Sequence, residues 1–342
     1  MDDASFLRDL LALYSPSGSE ARAAAFLREH MAGLGFHSYV DEVGNAVGEI
    51  GDGHREVVLL GHIDTVEGFF PVRREADMLY GRGAVDAKGP IAAFVLAAAR
   101  ARLRDLRLVV IGAVEEEAAS SRGARHAINR PRPDFAVVGE PSGWAGITLG
   151  YKGRLWITYR LEQPTRHSAG PGRAAPEEAV EFWNALRMEA ITRNQGRRPF
   201  DALDLSLRRI HSSADGFADR VEQLISLRVP VDFDGEDFKR SVLDLAGPAT
   251  IEFSNEDPAF RADKNNALVR AFTCAIRAHG GEPKFKLKTG TSDMNVLGPA
   301  WACPIVAYGP GDSSLDHTPD EHISLAEFQR SVHVLTSVLE SL

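Results

Sequence analysis

Cysteine is nearly absent, at two residues in 342, and that excludes a disulfide-stapled secreted scaffold. Cys274 and Cys303 both sit in apolar surroundings, FTCAI and WACPIV, and are expected to be buried, inert thiols, as in a reducing cytoplasm. Long hydrophobic runs are missing too. The longest, residues 91–101, is Ala-rich and well short of the about 20 residues that span a bilayer. The opening MDDASFLRDLL is acidic and lacks the basic and apolar regions of a signal peptide, so a soluble cytoplasmic protein is expected. Nor is there an excess of positive charge. The net charge of −9 argues against a nucleic-acid binder. No internal repeat and no low-complexity segment is visible.

What is present is ordinary globular material, 44% hydrophobic and 25% charged, in a chain long enough for about two domains. Helical spacing of Phe6, Leu7, Leu10 and Leu11 predicts a first helix over 3–13, stopped by Pro16-Ser17-Gly18. Ser19 has the chemistry of an N-cap for a second helix reaching Gly33. Short strands are predicted at 38–40, 46–50, 57–60, 107–114 and 136–138, with an apolar helix at 89–104. Continuous apolar strands alternating with helices imply an α/β fold with a mostly parallel sheet covered on both faces. Between about 151 and 263 the strands alternate instead (154–161, 203–210, 224–231), with helices at 176–191 and 236–245, which predicts an inserted α+β domain. After 264 the α/β character resumes, with a helix at 267–279, a strand at 304–307 and a last helix from Leu325. The expected division is 1–150 with 264–342, and 151–263 as the insertion.

The chemistry-bearing residues gather just beyond the strands. His62 and Asp64 follow VVLL, where open α/β sheets place ligands, and Asp64 is placed to accept the second imidazole N–H. Asp86, in GRGAVDAKGP, precedes the apolar helix. It is either a bridging carboxylate or a plain N-cap, and the stretch lacks the Lys-Ser/Thr pairing and glycine spacing of a phosphate loop. Glu115, Glu116 and Glu117 end the strand RLVVIGAV, where three acids repel unless exposure or cations relieve them. Glu140 follows VVG, and His317 lies in YGPGDSSLDHTPDE. Each is weak alone; their common placement is not.

The order GHIDTV, GRGAVDAKGP, the acidic triplet before SSRGA, VGEPS and LDHTPDE resembles the M20 family of dinuclear metallopeptidases and deacylases over nearly the whole chain. The resemblance implies a zinc-peptidase-like catalytic domain and an inserted ferredoxin-like lid that dimerises. It implies two divalent ions, zinc first and cobalt as a substitute, one held by His62 and Glu140, the other by Glu117 and His317, with Asp86 bridging. It implies Glu116 as general base, Asp64 behind His62, and His167 in RHSA as an oxyanion donor reaching across the dimer. Glu115 and Glu116 taking the base and ligand roles is the alternative register. Arg228 matches an arginine that grips a substrate carboxylate, and Gly290 and Thr291 match a glycine-rich turn of the same pocket.

GRGAVDAKGP, EEEAASSRGAR, GITLGYKGR and TGTSDMN resemble most the family's lysine-biosynthesis branch. Its members release lysine, or ornithine in arginine biosynthesis, from the γ-carboxyl of a small acidic amino-group carrier protein. Docking ground for such a partner is expected at Arg193, Arg197, Arg198, Arg208 and Arg209, or at Lys284, Lys286 and Lys288. A deacylase for acetylornithine or succinyl-diaminopimelate would share every metal residue. A non-catalytic, metal-stabilised binding protein is the reading from outside the class.

Overall fold

The computed structural model describes residues 2–167 and 169–342; Ser168, within the RHSA motif, lies outside the described residues. The chain divides into two compact units. One comprises Met1–Gly150, Arg261–Leu287 and Ser292–Leu342; the other Tyr151–Phe260 and Lys288–Thr291. The turn around Gly290, expected with the first unit, thus groups with the insertion.

In the first unit the strands Leu106–Ala113, Arg55–His62, Phe135–Gly139 and Ile305–Tyr308 lie side by side and parallel at the centre of the sheet. Antiparallel strands His37–Val40 and Ala46–Ile50 flank one side, and Gly146–Tyr151 joins on the other. Residues 57–62 are buried one after another, so both sheet faces are covered, as continuous apolar strands require. Helices Lys88–Arg100 and Leu325–Ser341 pack on each other within this core. The first of these ends four residues earlier than expected. Its cap, Ala101, is already extended. No helix among the described residues is long and apolar enough to cross a membrane.

Two local expectations fail. The second helix begins at Ala21 with Glu20, not Ser19, at the N-cap, and no side chain caps it. Glu20 instead turns its carboxylate to the backbone N–H groups of Gly18 and Glu115. Cys303 is buried, but Cys274 is exposed. The buried face of the helix Ala267–Ala278 runs through Leu268, Val269, Phe272, Ala275 and Ile276, and position 274 falls on the opposite side at 3.6 residues per turn.

The second unit runs strand, helix, two strands, helix, strand: Gly153–Pro164, Ala175–Arg193, Asp204–Ala214, Ala218–Val229, Gly235–Ala246 and Thr250–Asp257. Its four strands are antiparallel. In chain order numbered one to four, their order across the sheet is second, third, first, fourth, the ferredoxin-like arrangement. Val221, Gln223, Ile225, Leu227 and Val229 alternate into its core.

Candidate metal centre

A row of three glycines sets up the site. Gly112, Gly61 and Gly139 are register partners across three adjacent parallel strands. A Cβ on Gly139 would stand 3.0 Å from the Gly61 Cα and 3.1 Å from Phe94, and one on Gly112 would overlap Leu27. Hydrogen at these positions leaves room for the helix Lys88–Arg100 and its neighbours to approach the strand ends this closely. The next residues, His62 and Glu140, and the triplet after Ala113 leave the sheet at its C-terminal edge.

There His62 Nε2 lies 3.0 Å from Asp86 Oδ1, while His317 Nε2 lies 3.1 Å from Asp86 Oδ2 and 2.9 Å from Glu117 Oε1. The two carboxylate oxygens of Asp86 therefore face two different imidazoles. Ligand atoms of His62, Asp86 and Glu117 fall within 4.8 Å of one another. Asp86 does not cap the helix behind it, whose cap residue is Ala87. Imidazole nitrogens and carboxylate oxygens at these distances fit a divalent ion such as zinc, and the shared Asp86 fits a pair of ions. Glu140, buried at the end of its strand, is close enough to act electrostatically on Glu116.

The triplet divides by direction. The Glu115 carboxylate turns away, accepting from Ser120 Oγ at 2.7 Å and pairing with Arg122 at 3.0 Å. Glu117 points to His317. Glu116 lies within the acidic pocket. Burial pushes its carboxyl well above the usual range, and Glu140, Asp293 and Glu117 push the same way against the opposing His62. Such a group suits a proton carrier.

Asp64 does meet the second imidazole nitrogen of His62, though through its main chain. His62 Nδ1 bonds to the Asp64 main-chain carbonyl at 2.9 Å, and the nearer carboxylate oxygen is 3.5 Å away. That carboxylate, fully buried, accepts instead the N–H groups of Glu116 and Glu117, each at 3.0 Å, and Ser17 Oγ at 2.7 Å. It fixes the acidic loop as much as the histidine. Ser17 was read in the sequence only as part of a helix stop.

His167, Arg228, Gly290 and Thr291 belong to the second unit. His167 is exposed in the loop after the first strand of that unit, its Nδ1 accepting from Ala169 N at 3.2 Å. Arg228 Nη1 donates to Thr291 Oγ1 at 2.8 Å, which joins the expected arginine to the expected turn. Part of the expected basic docking ground pairs with carboxylates of the chain itself. Arg193 pairs with Glu189 and Asp237, Arg197 with Asp232, and Arg209 with Glu222. Lys286 donates to the Ser142 carbonyl.

The pattern of Peptidase family M20/M25/M40 matches residues 58–341. The chain belongs to this family. It is 47% identical to the LysW-lysine hydrolase of Deinococcus radiodurans, over 98% of this chain and 96% of that one. It is 28% identical to the LysW-lysine/LysW-ornithine hydrolase of Saccharolobus solfataricus, over 98% and 94%. Among solved structures, an M20 family metallo-carboxypeptidase, Sso-CP2 from Sulfolobus solfataricus, shares the fold at a TM-score of 0.82 and 18% identity, covering 100% of this chain and 99% of that one. This M20 chain is thus a hydrolase whose described residues include a metal-binding cluster.

Proposed function

We propose that this M20 hydrolase cleaves the amide that joins lysine, or ornithine, to the γ-carboxyl of the carrier protein LysW, releasing the free amino acid in lysine or arginine biosynthesis. The observation that carries this reading is the 47% identity, over nearly the full length of both chains, to a LysW-lysine hydrolase. The metal cluster supports the hydrolytic part independently. The sparse cysteines support a cytoplasmic setting.

His62 and Glu140 would hold one divalent ion, Glu117 and His317 the other, with Asp86 shared; zinc suits this set and cobalt could replace it. Bound there, the ions supply Lewis acidity to the scissile carbonyl and lower the pKa of water. Glu116 takes the proton of the attacking water at its carboxylate and delivers it to the leaving amine nitrogen. Its burial keeps its basicity high enough for that task. Asp64 orients both His62, through its carbonyl, and the Glu116–Glu117 backbone, through its carboxylate. His167, contributed across a homodimer formed by the inserted units, would stabilise the tetrahedral oxyanion. A donor of this kind is worth roughly 2.7–4 kcal/mol. Arg228, braced by Thr291 beside Gly290, would grip a substrate carboxylate with its planar fork.

The test is turnover of LysW-γ-lysine, LysW-γ-ornithine and free N-acetyl-lysine by metal-loaded enzyme, compared by kcat/KM. The carrier-linked substrates should lead. Preference for acetylornithine or succinyl-diaminopimelate in the same panel would assign the chain to another M20 deacylase.

A further inference from the structure

One ion pair behind the centre is used by nothing above. Arg82 and Glu321 are both buried, at 7% and 1% exposure, and meet at 2.9 Å through Nη1 and Oε2. Glu321 Oε1 accepts the backbone N–H of Val85 at 3.0 Å and of Asp86 at 3.2 Å. Arg82 Nη1 donates also to the carbonyl of Thr318, the residue after His317, at 3.1 Å, and its Nε to the Gly68 carbonyl at 3.1 Å. A single carboxylate thus holds the main chain of the Asp86 loop, while the cation paired with it holds the main chain of the His317 loop.

The two metal positions differ in what supports them. His62 and Glu140 stand at the ends of adjacent strands whose spacing the sheet fixes. Asp86 and His317 stand on loops, 231 residues apart by number (317 − 86), with no strand pairing at either residue. Yet Asp86 Oδ2 and His317 Nε2 meet at 3.1 Å. We propose that the Arg82–Glu321 pair is a positioning device that sets the spacing of Asp86 and His317. It would pre-form the metal position held by Asp86, Glu117 and His317; the His62–Glu140 position shares Asp86 but has its other two ligands set by the sheet, and depends on the pair less. The proposal rests on the ligand assignment made above. Breaking a buried pair leaves an uncompensated charge, and partners beyond the ligand shell tune metal affinity.

The test is calorimetric titration of the metal-free full chain with Zn2+, with metal content after gel filtration as a second readout. Wild type should take two ions. In Glu321→Ala one site should weaken by roughly 10–100-fold while the other, which keeps its two strand-end ligands, weakens distinctly less. Glu321→Gln, which keeps an acceptor for Val85 and Asp86, should lose less. Arg82→Lys, whose ammonium cannot reproduce the forked contacts to Glu321, Thr318 and Gly68, should weaken the same site most, and it decides the matter if Glu321→Ala does not fold. Two unchanged sites, or two sites weakened alike, would overturn the proposal and leave the metal assignment standing. A wild-type chain that binds fewer than two ions would overturn the assignment itself, and this proposal with it.

Discussion

Glu117 Oε1 stands 2.9 Å from His317 Nε2, joining residues 200 positions apart, and Asp86 Oδ2 approaches the same nitrogen at 3.1 Å. Hydrogen bonds from Asp86 and Glu117 push the His317 imidazole up to about 10. His62 is raised as well: burial opposes its charge, but Asp64 and Asp86 outweigh burial. Both rings therefore carry protons at neutral pH in the metal-free chain, and a metal ion binds only the neutral ring. Binding should release protons, approaching ~2 per pair of ions near pH 7, and affinity should climb as pH rises toward about 10. Calorimetry in two buffers of different ionisation enthalpy counts these protons. Identical heats in both buffers would rule out charged imidazoles.

The division of the glutamate triplet predicts three distinct phenotypes. Glu116→Gln should lower kcat by roughly 10²–10⁴-fold with metal content intact, because it removes a proton carrier and not a ligand. Glu117→Gln should lose metal. Glu115→Gln should do neither, since its carboxylate faces Ser120 and Arg122. Loss of metal in Glu116→Gln, with loss of kcat in Glu115→Gln, would move the register by one residue.

Lys88 gives the fold a pH signature. It is 1% exposed, donates to the Leu13 carbonyl at 2.5 Å, and burial drives it from 10.5 down to about 8, against the attraction of Glu321 and Asp64. The folded pKa is below the unfolded one, so between these values the unfolded chain binds more protons and stability rises with pH. The site's contribution is present above the unfolded value and lost as pH falls to about 8. Relative to Lys88→Met, the metal-free wild type should gain on the order of 2–3 kcal/mol between about pH 8 and pH 10.5. Urea unfolding of both proteins across that range measures it. A constant difference would mean that Lys88 is charged throughout.

The thiols should separate cleanly. Cys274 is exposed, whereas burial pushes Cys303 up to about 11. Thiolate is the reactive form, so iodoacetamide at about pH 8 should add one adduct, on Cys274, to the native chain and two to the unfolded chain. Peptide mapping that finds Cys303 modified in the native protein would contradict its burial.

Much of this protein was legible along the chain because two signals in it are local. Apolar runs of strand length between helices, as in RLVVIGAV, mark a sheet covered on both faces, and alternation such as RLWITYRL marks one covered on a single face. Where each acid or histidine follows a strand, the placement was readable in the same way. What the chain could not disclose is which atoms meet. Only the packed loops turn Glu115 away and Glu117 inward, and bring the two oxygens of Asp86 to two imidazoles. They also send the Asp64 carboxylate to backbone amides when a histidine was expected, and they hide Arg82 and Glu321 behind the centre. Cys274 followed the same logic, since an apolar neighbourhood in sequence does not say which face of a helix a residue takes. Periodicity and strand position are encoded by near neighbours; ligand direction, ion pairing and side-chain exposure arise from contacts between segments far apart in the chain, and those exist only once it has folded.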